Sequence, residues 1–155
     1  MDGNATAAGA TAPRQRWISI LARAPLERLE TAWQALPAPP GFIALRRPEI
    51  GATLVRARAG GSGQRFNLGE MTVTRCTIRL ESGLVGHGYV AGRQPRHAEL
   101  AALFDALLQD PAWHDAIDAA LIEPTAQLLA AQRQQQEAKT ATSTVTFFTM
   151  VRGED

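Results

Sequence analysis

One cysteine, one lysine, one tyrosine and no apolar run of membrane-spanning length mark this sequence of 155 residues. A single cysteine, Cys76, forms no internal disulfide, which fits a reducing compartment. The absence of a long apolar run excludes a transmembrane helix. The opening residues MDGNATAAGATAP have neither a basic n-region nor an apolar h-region, so they do not read as a signal peptide, and a cytoplasmic location is expected. Aromatic residues make up 6% of the chain, and between residues 46 and 96 there are only Phe66 and Tyr89. Single-strand binding sheets interleave exposed aromatics among their basic residues, so nucleic acid is not the expected ligand. His87, His97, His114 and Cys76 show no metal-ligand spacing, and no metal site is expected.

What is present is arginine. Fifteen of the sixteen basic residues are Arg, and between Arg46 and Arg96 nine arginines stand against three acids, an excess of six positive charges. The whole chain carries only +1, so it has no strong overall pull toward nucleic acid or anionic lipid. The local excess matters because guanidinium groups make planar, bidentate contacts with phosphates and carboxylates. Hydrophobic content of 45% and charged content of 20% fit one globular domain, taken as residues 13–151 behind a disordered tail of residues 1–12.

Taken in order, Thr11 is read as a helix cap with Pro13 in the first turn, followed by the apolar face of Trp17, Ile20 and Leu21. Leu26, Leu29, Trp33 and Leu36 repeat at helical spacing, and Pro37 to Gly41 ends that helix. Phe42 to Leu45 is a short apolar run. Ala52 to Ala59 reads as a strand with Leu54, Arg56 and Arg58 on one face and Thr53, Val55 and Ala57 on the other. Met71 to Leu80 and Leu84 to Ala91 alternate with period two around Glu81-Ser82-Gly83, which is a β-hairpin. Pro95 to Gln109 is a helix with Leu100, Leu103, Phe104, Leu107 and Leu108 as its apolar face. Asp110-Pro111 caps the next helix, interrupted at Pro124. Thr142 to Val151 is β-branched and aromatic and reads as a further strand. The expected class is α+β: an antiparallel sheet of about four to five strands, with helices on one face and arginines on the other.

Two glycine-rich stretches invite a phosphate reading. Gly60-Gly61-Ser62-Gly63 lacks the Gly-Lys-Ser/Thr ending of a Walker loop, so a hairpin loop is the simpler account. Gly86-His87-Gly88-Tyr89-Val90-Ala91 matches G-x-G-x-x-A but lies inside a strand rather than before a helix, which rules out a dinucleotide fingerprint. Its glycines mark a twisted strand or a place where something comes close to the backbone. Cys76 beside Arg75 has the setting of an activated thiol, but a small buried hydrophobe is the favoured reading.

The run from Asn67 to Cys76, NLGEMTVTRC, with Gly86-His87-Gly88-Tyr89-Val90 and the segment Arg96 to Asp105, resembles the PhnG family of the bacterial carbon–phosphorus lyase system. Arg16-Trp17, Arg47 to Gly51 and the segment from Arg56 to Gly63 are similar to it as well. The likeness runs from about Pro13 to Val151. It implies a subunit of a cytoplasmic hetero-oligomer with PhnH, PhnI and PhnJ, acting with PhnH, PhnI and PhnL. The reaction implied is displacement of adenine from ATP by methylphosphonate, giving α-D-ribose 1-methylphosphonate 5-triphosphate. No cofactor is implied in this chain, ATP and phosphonate being substrates of the complex, and the subunit is expected to be inactive alone. The radical step belongs to PhnJ and its iron–sulfur cluster, which one cysteine does not hold.

No catalytic residue is carried over. Holding two anions together needs fixed cations, so Arg56, Arg58, Arg75, Arg79, Arg93 and Arg96 are the anion-binding candidates. His97, with Glu99, is a candidate for handling a proton or orienting an arginine. The competing reading for each arginine is an acidic patch on PhnI or PhnH, within a scaffold subunit that touches no substrate.

Overall fold

The computed structural model describes residues 5–58 and 63–142. Helices α1 (Ala5–Leu21) and α2 (Leu26–Gln34) precede strands β1 (Phe42–Arg58), β2 (Arg65–Leu80) and β3 (Val85–Ala91). Helices α3 (Pro95–Leu107), α4 (Pro111–Ile117) and α5 (Glu123–Thr142) follow, with a π turn at Asp118–Ile122 joining the last two. The sheet is antiparallel in the order β1-β2-β3, so the class is α+β.

Three strands, not four or five, form the sheet among the described residues. The two separate readings around residues 42–45 and 52–59 are one strand. Register shifts between Ala44 and Arg46 and between Arg46 and Glu49 carry β1 past Pro48. An edge strand tolerates this, because its outer N–H groups have no ladder partner to lose. The expected strand at Thr142 to Val151 lies beyond the described residues, apart from Thr142, which ends α5.

One helix boundary also moves. The first helix begins at Ala5 rather than at Thr11, so residues 5–12 of the expected tail are helical and Pro13 is interior. The local alanine content favours helix strongly enough to carry the chain through. The interruption expected at Pro124 takes the form of the π turn just before it, where the proline has no N–H to offer, and the chain continues beyond as α5. Asp110 does cap α4, its Oδ1 accepting from the Ala112 N–H at 2.9 Å.

Helix α3 is the hub. Ten of its thirteen residues are buried, so it is a core helix wrapped on all sides rather than an amphipathic one with a single wet face. The sheet's inner face, Thr74, Cys76, Ile78, Leu80, Gly86, Gly88 and Val90, lies beneath it. Its other sides receive Trp17, Leu21 and Leu29 from α1 and α2, with Ile117 and Leu121 from the C-terminal helices. Trp33 meets Phe104 and Phe42 edge to face, at 6.2 and 6.5 Å. The glycines of β3 explain how close α3 comes. A β-carbon on Gly86 would overlap the carbonyl oxygen of Ala102, and one on Gly88 that of Ala98. Ala98, Ala102 and Ala106 recur every four residues along α3, so small residues meet glycines along this seam. The G-x-G pattern is therefore a packing device.

Asp105 locks the layers together. Its fully buried carboxylate accepts from Arg14 Nε (3.1 Å) and Nη2 (2.8 Å), from Trp17 Nε1 (2.9 Å) and from the His87 backbone N–H (2.9 Å). Helices α1 and α3 and strand β3 thus meet at one residue with its oxygens satisfied.

Candidate functional site

Residues paired across an antiparallel ladder share a face. Arg75 is opposite Glu49 on β1 and Tyr89 on β3, Thr77 is opposite Arg46 and His87, and Arg79 is opposite Ile43 and Val85. This is the sheet's outer face, and Arg75, Arg79, His87 and Tyr89 are all exposed on it. Cysteine 76 and its even-numbered neighbours turn inward, which settles the parity that the sequence left open.

The candidate arginines do not form one cluster. Arg75 and Arg79 lie on the outer face, four residues and about 13 Å apart along β2 at ~3.3 Å per residue. The position of a β-carbon on Gly51 would lie 3.5 Å from Arg75 Nη2, so the guanidinium reaches across β1 over that glycine. Arg79 lines a concavity of about 460 Å³ with Phe42, Ile43 and Glu81. Arg56 and Arg58 belong to the far end of the β1–β2 hairpin and face the other way, on the side of Ile50 and Leu54. Ten residues of β2 separate Arg65, the ladder partner of Arg58, from Arg75, roughly 33 Å of strand. No single small anion bridges that distance. Arg93 is exposed in the turn after β3. Arg96 pairs with Glu99 at 2.6 Å and approaches Glu30 at 4.0 Å, so it is partly neutralised already. Among the described residues, Arg56, Arg58, Arg75, Arg79 and Arg93 have no carboxylate within ion-pair distance.

His97 is buried on the helical side. Its Nε2 donates to the Leu21 carbonyl at 2.8 Å, and Nδ1 lies 3.3 Å from Gln94 Oε1, so the ring ties the end of α1 to the start of α3. His114 is similarly tied, its Nδ1 donating to the Leu108 carbonyl at 2.7 Å. His87 is the histidine left on the outer face, 3.3 Å from Thr77 Oγ1. Its parity with Arg75 and Arg79 was the available signal for placing it with them, once the buried face was known.

Burial, reinforced by the negative charge of Glu99, pushes the Cys76 thiol up to about 11. The thiol is protonated at neutral pH and donates to the Arg46 carbonyl at 3.4 Å, which removes it as a nucleophile and leaves the small buried hydrophobe. No group of three or more His, Cys, Asp or Glu side chains placed to hold a metal exists among the described residues. A second concavity, about 740 Å³ and mainly apolar, lies between α2 and α4 and is lined by Leu36, Phe104, Trp113 and Leu121. Nothing in the sequence pattern distinguished its lining from ordinary core.

A family model described as phosphonate metabolism protein PhnG matches residues 12–153, nearly the whole chain. The chain belongs to the PhnG family. A relative from Rhizobium meliloti (strain 1021), named α-D-ribose 1-methylphosphonate 5-triphosphate synthase subunit PhnG, is 47% identical over 144 residues, covering 93% of this chain and 92% of the relative. In this PhnG family member the basic outer face is open among the described residues. No loop or helix of the described residues folds over Arg75, Arg79, His87 and Tyr89, and no helix is long and apolar enough to cross a membrane.

Proposed function

We propose that this chain is a subunit of the carbon–phosphorus lyase system of phosphonate use, acting in the synthase that makes α-D-ribose 1-methylphosphonate 5-triphosphate. The observation that carries this is the near full-length likeness to a relative bearing the synthase subunit name. In the reaction a phosphonate oxygen attacks C1′ of ATP, the C1′–N9 bond breaks, and adenine leaves with a proton. The two reactants are both strongly anionic, so cations fixed before they arrive lower the barrier by offsetting their repulsion. Arg75 and Arg79 supply guanidinium groups that no carboxylate of the described residues pairs, on a rigid strand with His87 and Tyr89 beside them.

An open face does not exclude water, so the site is composite, with a partner subunit closing it. The subunit is accordingly inactive alone. PhnH, PhnI and PhnL are its partners in this step and PhnJ joins the same cytoplasmic complex. ATP and phosphonate are the complex's substrates, and this chain contributes no cofactor.

The test is co-expression with PhnH, PhnI and PhnL, following adenine release from ATP that depends on methylphosphonate. Arg75→Ala is expected to reduce release about 100-fold or more in a complex of unchanged size. Full release from the Arg75→Ala complex would remove the outer face from the active site and make the chain a scaffold for PhnI. Unchanged release with this chain omitted altogether would overturn the functional reading.

A further inference from the structure

The far half of the β1–β2 hairpin buries almost nothing. Strand β3 pairs with β2 only from Val73 to Arg79, so residues 52–58 of β1 and 65–72 of β2 project as a two-stranded ribbon with Ile50 at its root. Such a ribbon is marginal in water without something to pack on. Its large apolar side chains are nonetheless out in solvent: Ile50 is 48% exposed, Leu54 57%, Phe66 46% and Leu68 65%. Ladder pairing of Ile50 with Thr74 and of Ala52 with Thr72 puts Ile50 and Leu54 on the extension of the face that α3 covers nearer the core. That apolar face runs on past the last helix. Leu68 is skipped in the register between Val55–Gly69 and Arg56–Asn67, so it occupies a bulge beside them.

The tip adds charge. Arg58 is directly opposite Arg65, a like-charge pair that destabilises a ribbon standing alone, and Arg56 follows on the same face. None of the three has a carboxylate partner among the described residues, and Glu70 is the ribbon's one acid in residues 52–58 and 65–72. A like-charged basic tip on an exposed apolar face calls for a surface that is apolar and edged with acids. Arm-to-arm pairing with a second copy does not provide it, because that arm brings the same positive excess.

We propose that this arm is the chain's grip on another subunit of the synthase. Ile50, Leu54 and Leu68 seat in an apolar groove of that subunit, and Arg56, Arg58 and Arg65 pair with aspartates or glutamates along its border. The inference rests on the reading of this chain as part of a multi-subunit synthase. It separates two tasks along one hairpin: the outer face near the core meets substrate, and the arm meets protein.

Two variants test it in co-expression with the synthase subunits: Leu54→Asp with Leu68→Asp, and Arg56→Glu with Arg58→Glu and Arg65→Glu. Each isolated variant is expected to keep the wild-type circular dichroism spectrum and melting temperature, because these side chains are exposed. Each is expected to lose about tenfold or more of its co-elution with the other subunits, since truncated anchors and reversed charges act mainly at an interface. Adenine release falls in step. Arg75→Ala stays in the complex and loses release only. Wild-type co-elution of both arm variants would overturn the proposal while leaving the synthase assignment standing. So would arm variants that join the synthase normally but alter self-association of the isolated chain. A wild-type chain that co-elutes with no synthase subunit would overturn the assignment and the proposal together.

Discussion

Cys76 shows how one side chain's environment decides its chemistry. Beside Arg75 in sequence it has a cationic neighbour, but the two point to opposite faces, and the thiol sees the core and Glu99 instead. An unfolded thiol ionises near 9, while the folded one holds its proton until about 11. Above 9 the unfolded chain therefore binds fewer protons than the folded one, and stability falls as pH rises through this window. Denaturant midpoints at pH 8 and pH 10.5 check this. The wild type is expected to lose more stability across that interval than Cys76→Ala, and equal losses would refute the account. His97 makes the same point from the other direction. Its sequence neighbourhood of Arg96 and Glu99 looks reactive, yet its ring spends its hydrogen bonds on the fold.

At the scale of elements, the seam between α3 and β3 carries the architecture. Gly88→Ala places a β-carbon against the Ala98 carbonyl, a backbone group that does not swing aside, so α3 must shift. A cost of about 3 kcal/mol is expected, enough to lower the melting temperature by roughly 10 °C. Thermal unfolding followed by circular dichroism measures it, with His87→Ala on the opposite face of β3 as a control expected to stay within about 0.5 kcal/mol of wild type. The hairpins and the strong helices were legible in the sequence because period-two and period-3.6 patterns are local. The joining of two strand readings into β1 was not. A bulge at Pro48 makes sense only when β1 is known to be an edge, which is a fact about neighbours in space. The glycine motif was legible as a place of close approach, but α3 as the approaching element was not.

At the scale of the molecule, Arg75 and Arg79 on an open face make the isolated chain a weak holder of anions. Titration of ATP into the chain alone is expected to give a Kd of about a millimolar or weaker, with no adenine released, and assembly with the partner subunits to tighten it about tenfold or more. A micromolar Kd for the isolated chain would mean that it carries a complete site. The order of helices and strands as far as α5, the α+β class, the basic middle of the chain and its family resemblance were all present in the amino-acid sequence, because each is a property of residues near one another along it. The division of the arginines was not. Residues 56, 58, 75, 79, 93 and 96 look like one basic stretch, but the strands run straight for tens of ångströms and residue parity assigns each guanidinium to a face. Which face is buried depends on where α3 docks. Only the tertiary structure therefore separates Arg75 and Arg79 on the outer face from Arg56 and Arg58 on the arm. Helix α3 reaches β3 and the near half of β2, and among the described residues nothing packs over the rest of the hairpin.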